Sequence, residues 1–240
     1  MQEHFVIFGM GRTGSSLLQS LLNSHPQICC EGELFRLRRW RRLMRPIAQM
    51  WQRYPMPYIT YRQLRARLLT QKTVYGFKLH TNLHSEQVAD PVSFLQTVYR
   101  RGWKIIHLER VSLFDQVISA MVGARTNRFF GHNRGPEPDV QLTLAADECQ
   151  ALLASATRIR QHHRAILADI PHMGIVYEDS LADDACWQET VTQICGYLDI
   201  PAPTHVETHI TKPWSRPYGE LITNYAELQA MADEYHANSD

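Results

Sequence analysis

Cysteine is scarce and poorly placed: five residues, at 29, 30, 149, 186 and 195, an odd number with irregular spacing. That excludes a disulfide framework and a zinc knuckle, and the adjacent Cys29 and Cys30 read as small buried residues of a short strand. No apolar run reaches the about eighteen residues that a membrane-spanning helix needs. An excess of either charge is also missing, since 25 basic against 24 acidic residues leave +1 with histidines neutral. The chain as a whole therefore has no charge-driven partner, and nucleic acid is not expected, although local basic patches remain open. There is no internal repeat and no low-complexity tract. Met1 to His4 lack a charged-then-apolar leader, so a cytoplasmic location is expected.

What the chain does have is a core. Of its 240 residues 44% are apolar and 10% aromatic, which excludes wholesale disorder and fits one domain over residues 1–240. Short β-branched or aromatic runs predict strands at His4–Phe8, Thr73–Leu79, Lys104–Glu109 and Gly174–Tyr177. Helical spacing predicts helices at Ser15–Asn23, Pro91–Arg101, Leu113–Arg125, Ala145–Ala168 and Cys186–Leu198. Thr126–Pro138 and Pro201–Pro217 read as surface loops. Strands separated by helices imply an α/β fold, a P-loop-like domain whose mostly parallel central sheet is flanked by helices.

The first strand runs into Gly9-Met10-Gly11-Arg12-Thr13-Gly14 and then a helix. In that geometry backbone N–H groups and the helix dipole converge on an anion. Three readings of the turn compete. GxGxxG, with Glu31 about 20 residues on, fits a dinucleotide site and an NAD-dependent oxidoreductase. Gly9 to Ser16 nearly fits a nucleoside-triphosphate loop, but Ser15 stands where the lysine belongs. The third is a 5′-phosphosulfate loop, with Arg12 inside the turn and Thr13, Ser15 and Ser16 as hydroxyl donors. A second anchor follows the strand Lys104–Leu108. There Arg110 at the strand end and Ser119 on the next helix can grip one phosphate, by charge and by hydroxyl.

Together these anchors make the chain resemble the sulfotransferases that use 3′-phosphoadenylyl sulfate (PAPS), most nearly the bacterial trehalose and nodulation-factor type. The resemblance runs from Phe5 to Leu18, through Leu22–Pro26, Gly32-Glu33-Leu34-Phe35, Tyr75–Leu79 and Arg110 to Ser119, to Val176–Leu181 and Ile222–Tyr225. In many relatives the arginine and serine of the second anchor stand one residue closer together. It implies that Gly11, Arg12, Thr13, Gly14, Ser15 and Ser16 hold the 5′-phosphosulfate. Arg110 and Ser119 hold the 3′-phosphate, and Tyr177 lies near the adenine. Arg12 then neutralises the leaving bridge oxygen, Glu33 is the general base, Lys78 is a second cation, and no metal is needed. Glu31, two residues from Glu33, and His80 stay open as alternative bases, because a plain strand aims residues two apart to one side. A non-catalytic nucleotide-binding module is the remaining rival.

The acceptor expected from the resemblance is a carbohydrate or glycolipid. Six arginines, at 36, 38, 39, 41, 42 and 45, lie in a predicted amphipathic helix over Phe35–Ile47 with Trp40, Leu43, Met44 and Ile47 as its apolar stripe. That basic face, Arg36–Arg45, is a candidate for an anionic acceptor or for peripheral contact with a membrane. Tyr54–Tyr58 and Arg125–Arg134 are candidate rims for stacking sugars or lipid. Two histidine pairs, His80/His84 and His205/His209, have i, i+4 spacing but no evident third ligand, so metal binding is not expected.

Overall fold

The computed structural model of the chain describes residues 3–36, 44–81, 87–129, 139–211, 214 and 216–237. Five strands form one parallel sheet in the order β2-β3-β1-β4-β5: β1 (His4–Gly9), β2 (Ile28–Glu33), β3 (Val74–His80), β4 (Lys104–Glu109) and β5 (Met173–Val176). β1 is wholly apolar after His4 because both its faces are covered. Phe5 and Ile7 pack with Leu18, Leu21 and Leu22 of α1 (Ser15–Ser24), whereas Val6 and Phe8 join Phe77 and Leu79 of β3 on the other face. The strand's period of two thus splits one run of sequence between two cores.

The first of these cores also takes Val191 and Ile194 of α8 (Trp187–Tyr197). The second is closed by α3 (Pro55–Thr70), by Phe94, Leu95 and Val98 of α4 (Pro91–Arg100), and by the end of α6 (Ala146–Leu167). A third cluster joins α5 (Leu113–Thr126), α6 and α10 (Tyr225–Ala237) through Val117, Met121, Leu153 and Leu228. Two helix starts have side-chain caps: Asp90 accepts from Ser93 N–H at 3.0 Å, and Ser112 from Asp115 N–H at 3.1 Å. α2 (Arg45–Arg53), α7 (Tyr177–Ser180) and α9 (Tyr218–Leu221) complete the set.

The α/β class and the parallel sheet agree with the sequence reading, and most predicted boundaries hold within one or two residues. Three segments differ. The helix predicted over Phe35–Ile47 does not start there: Leu34 and Phe35 form a turn and are buried, residues 37–43 lie outside the described ones, and α2 begins at Arg45, with Pro46 in its first turn. The segment Tyr54–Tyr58, read as a rim, mostly opens a sixteen-residue helix, α3, whose prolines again sit in the first turn. Tyr177 is the first residue of α7 rather than the last of β5.

The chain leaves β1 toward β2 on one side of the sheet and leaves β4 toward β5 on the other. Between the carboxyl ends of β1 and β4 the connections diverge, which opens a crevice at this switch point. Gly9 and Leu108 are register partners there, and a Cβ on Gly9 would lie 2.3 Å from the Leu108 carbonyl oxygen. Backbone cannot yield as a flexible side chain can. Gly9→Ala is therefore expected to cost about 2 kcal/mol and lower Tm by about 5 °C in thermal denaturation.

Candidate functional site

The turn after β1 is held in an unusual shape. Arg12 (φ 68°) and Gly14 (φ 83°) are both left-handed, which costs a non-glycine residue about 1 kcal/mol. Gly14 is required twice over, since a Cβ there would also sit 2.6 Å from the Tyr177 ring. Buried Thr13 braces the turn by donating from Oγ1 to the Met10 carbonyl at 2.9 Å, and Gln116 Nε2 donates to the Gly11 carbonyl at 2.7 Å. α1 starts with no side-chain cap, so the N–H groups of its first turn lack intrahelical partners and face an incoming anion.

Arg12 reaches from this turn to the second anchor. Its Nε and one terminal nitrogen donate to Ser119 Oγ at 3.0 and 2.8 Å, and the other terminal nitrogen donates to the Phe129 carbonyl at 2.8 Å. Burial pulls its pKa down, and the like charge of Arg110 adds to that. Arg110 lies with its guanidinium 4.8 Å from the centre of the Tyr177 ring. Its Nε pairs with Glu178 at 3.5 Å and a terminal nitrogen with Asp115 at 3.7 Å. Glu178 in turn accepts from the Val111 and Ser112 N–H groups. Gly11–Ser16, Arg110, Ser119 and Tyr177 are thus brought to the carboxyl end of the two inner strands β1 and β4, where Arg12 bonds Ser119.

Glu31 and Glu33 part company. The β2–β3 register pairs Glu31 with Phe77 and Glu33 with Lys78, so one residue, Gly32, is extra on β2. That bulge turns the second carboxylate to the opposite face of the sheet. Glu31 pairs with Arg62 of α3 and accepts from the Tyr75 hydroxyl at 2.7 Å. Its contacts thus lie on the α3 face of the sheet. Glu33 faces His80 Nδ1 and Arg36, each at 3.4 Å, on the side where Lys78 Nζ donates to Ser16 Oγ at 3.0 Å.

Burial raises the Glu33 carboxyl, but the hydrogen bond from His80 and the charges of Arg36 and Lys78 outweigh it and bring the group to about 2. Burial pulls His80 below the ordinary histidine range, so its ring is neutral near pH 7 and Nδ1–H is the donor. Its Nε2 is buried without a partner. Glu33 and Lys78 line a cleft of about 980 Å³, whose other wall runs from Glu207 to Ile210.

Sequence reasoning missed Gln116, the Phe129 carbonyl, Glu178 and the polar stripe Ser16-Gln19-Ser20-Asn23-Ser24 of α1 that floors this cleft. The stripe was legible as i, i+3/i+4 spacing of amides and hydroxyls; the other three depend on contacts distant in sequence. His205–His209 is not helical, so its spacing puts the two rings on no common helix face, and His84 lies outside the described residues. Among the described residues no group of three or more His, Cys, Asp or Glu is arranged to hold a metal.

The chain is similar to known proteins. The family model described as Sulfotransferase family matches residues 4–204. Nodulation protein H of Rhizobium tropici is 26% identical over 243 residues, covering 95% of this chain and 88% of that protein. Nodulation protein H of Rhizobium meliloti strain 1021 is 25% identical, covering 95% and 90%. A crystal structure of a sulfotransferase from Alicyclobacillus acidocaldarius superposes with a TM-score of 0.49 at 15% identity, over 98% of this chain and 96% of that one.

The Glu33 carboxylate has a pH signature. A carboxyl whose pKa is lower folded than unfolded contributes stability above its unfolded value and loses it as pH falls toward the folded one. For Glu33 that window lies between 4.5 and about 2. Between about pH 5 and about pH 3 the Tm of the wild-type chain is therefore expected to fall more steeply than that of Glu33→Gln in scanning calorimetry. Parallel curves would show that the carboxylate has no such partners.

Proposed function

Because the chain belongs to the sulfotransferase family, we propose that it moves a sulfuryl group from PAPS to a hydroxyl of a carbohydrate or glycolipid by in-line displacement. One observation carries the reading: Arg12 hydrogen-bonds Ser119, so the turn after β1 and the anchor after β4 are parts of one site that a single bisphosphorylated adenosine can bridge. Residues 1–240 are read as one such domain.

The residues present fit the donor. Gly11, Arg12, Thr13, Gly14, Ser15 and Ser16 offer N–H and hydroxyl donors and a guanidinium to its 5′ end. Arg110, a cation held between Glu178 and Asp115, and Ser119 suit its 3′-phosphate, with the Tyr177 ring beside them. When bound, PAPS supplies an already activated sulfuryl group, so positioning and preorganised positive charge are what the protein must add. Arg12 brings a planar fork of donors to the leaving oxygen, and Lys78 adds a point charge next to Ser16.

Glu33 receives the acceptor's proton. Its carboxyl is held low by His80, Arg36 and Lys78, and it lines the cleft with Ser16; the weakness of so acidic a base is relieved if binding displaces Arg36. His80 is a second reading, favoured by its neutral ring and partnerless Nε2, with Glu33 then orienting it. The polyol acceptor rests on the resemblance and on the polar lining of the cleft, in which the Gln19 and Asn23 amides are bonded to the Cys30 backbone and the Thr208 hydroxyl to Ser20.

Calorimetry with 3′-phosphoadenosine 5′-phosphate (PAP), NAD and ATP tests the donor site. PAP alone is expected to bind tightly, and Arg110→Gln to weaken it by about tenfold or more, as loss of a charge-assisted contact does. Glu33→Gln is expected to bind PAP normally and to lose about a thousandfold in transfer from labelled PAPS to a glycan panel. Retained transfer in Glu33→Gln alongside loss in His80→Asn reassigns the base. PAP binding with no sulfated product from any glycan or lipid makes the chain a binding module.

A further inference from the structure

We infer that α3, with α2 before it, is a docking surface for an anionic lipid bilayer. The inference is independent of the transferase reading. α3 carries an apolar stripe on each of two opposite faces. Ile59 and Ala66 point inward and are buried, while Tyr61, Leu64 and Leu68 follow one another at i, i+3 and i+7 on the far side and are 57%, 56% and 73% exposed. Arg65 and Arg67, both exposed, stand one on each side of that outer stripe. Together with Met44, Ile47, Met50, Tyr54 and Leu69, the segment 44–69 holds eight of the eleven large apolar side chains that are exposed among the described residues. A Trp51-Tyr58-Tyr61 ladder, with ring centres 5.5 and 6.3 Å apart, ties α2 to α3 and places amphipathic rings beside the patch. Surface apolar residues scattered singly mean little; gathered in one patch they mark a contact.

Charge identifies the partner. Residues 44–70 carry five arginines and no acidic residue; Arg62 pairs with Glu31, and Arg45, Arg53, Arg65 and Arg67 are exposed. A second copy is a poor occupant, because a two-fold contact opposes a patch to itself and here sets arginine against arginine. An outward leucine and tyrosine stripe flanked by arginines instead suits a helix lying in the headgroup plane, its apolar side chains in the acyl boundary and its guanidinium groups on lipid phosphates. No helix among the described residues is long and apolar enough to cross a membrane, so the contact lies on the surface.

Sedimentation of the full chain with phosphatidylcholine vesicles, with and without phosphatidylglycerol, tests the surface. Binding is expected only with the anionic lipid and weakens as salt is raised. Arg65→Gln/Arg67→Gln is expected to lower the vesicle affinity about thirtyfold, roughly fivefold for each charge removed. Leu64→Ser/Leu68→Ser is expected to lower it about tenfold or more. All four side chains are exposed, so each double variant should keep the wild-type Tm and PAP affinity. The proposal is overturned if the chain does not sediment with anionic vesicles, if both double variants bind as wild type does, or if ultracentrifugation shows a dimer that Leu64→Ser/Leu68→Ser dissolves.

Discussion

The parallel pairing of β1 with β4 is the constraint on which the site depends. Five register pairs, from Phe5 with Lys104 to Gly9 with Leu108, bring the two strand ends level. The turn carrying Arg12 and the loop carrying Arg110 then start side by side. Neither loop could place its cation alone, since each leaves its strand in open backbone. What locates them is the buried apolar sheet beneath, with Phe5, Val6, Ile7, Phe8, Ile105 and Ile106 all fully enclosed. The missing side chain at Gly9 lets the strand ends approach this closely. Packing is therefore the cause, and the charge arrangement follows from it.

A second device acts on the edge strand β2. The extra residue at Gly32 breaks the period of two on β2 and sends its two carboxylates to opposite faces. One is used up in structure, where Arg62 and the Tyr75 hydroxyl satisfy Glu31. The other is left among Arg36, Lys78 and His80, in a cleft whose cations hold it ionised. Desolvation alone would push that carboxylate the other way, so the sign of the shift reports how many donors surround it.

Much of this was legible before any coordinates. The strands are short apolar runs with a clear stop, and the turn after β1 announces itself through Gly9, Gly11 and Gly14. Arg110 and Ser119 were legible as a strand end and a helix face. The parting of Glu31 and Glu33 to opposite faces was not, because a bulge leaves no trace in residue spacing. α3 was missed for two physical reasons. Pro55 and Pro57 look like a connector until they are seen in the first helical turn, where a missing N–H costs nothing. Its apolar residues also face both ways, which erases the one-sided periodicity that marks a helix packed on a core. The contacts of Gln116 with the Gly11 carbonyl and of Arg12 with the Phe129 carbonyl use backbone acceptors, and any residue could have supplied those.

The choice of arginine at position 12 follows from the geometry around it. Two of its nitrogens converge on one hydroxyl and the third reaches a carbonyl on a different segment, a fork that a lysine ammonium on the same backbone cannot span. These acceptors are neutral. An anionic oxygen arriving at the turn offers the same donors a charge-assisted bond about twice as strong, so a ligand can displace Ser119 or the Phe129 carbonyl without leaving the guanidinium unsatisfied. The left-handed backbone at Arg12 is then understandable as strain held in place by contacts on both sides of the crevice. The cation stands between the turn after β1 and the helix after β4, tied to both sides of the crevice by neutral acceptors.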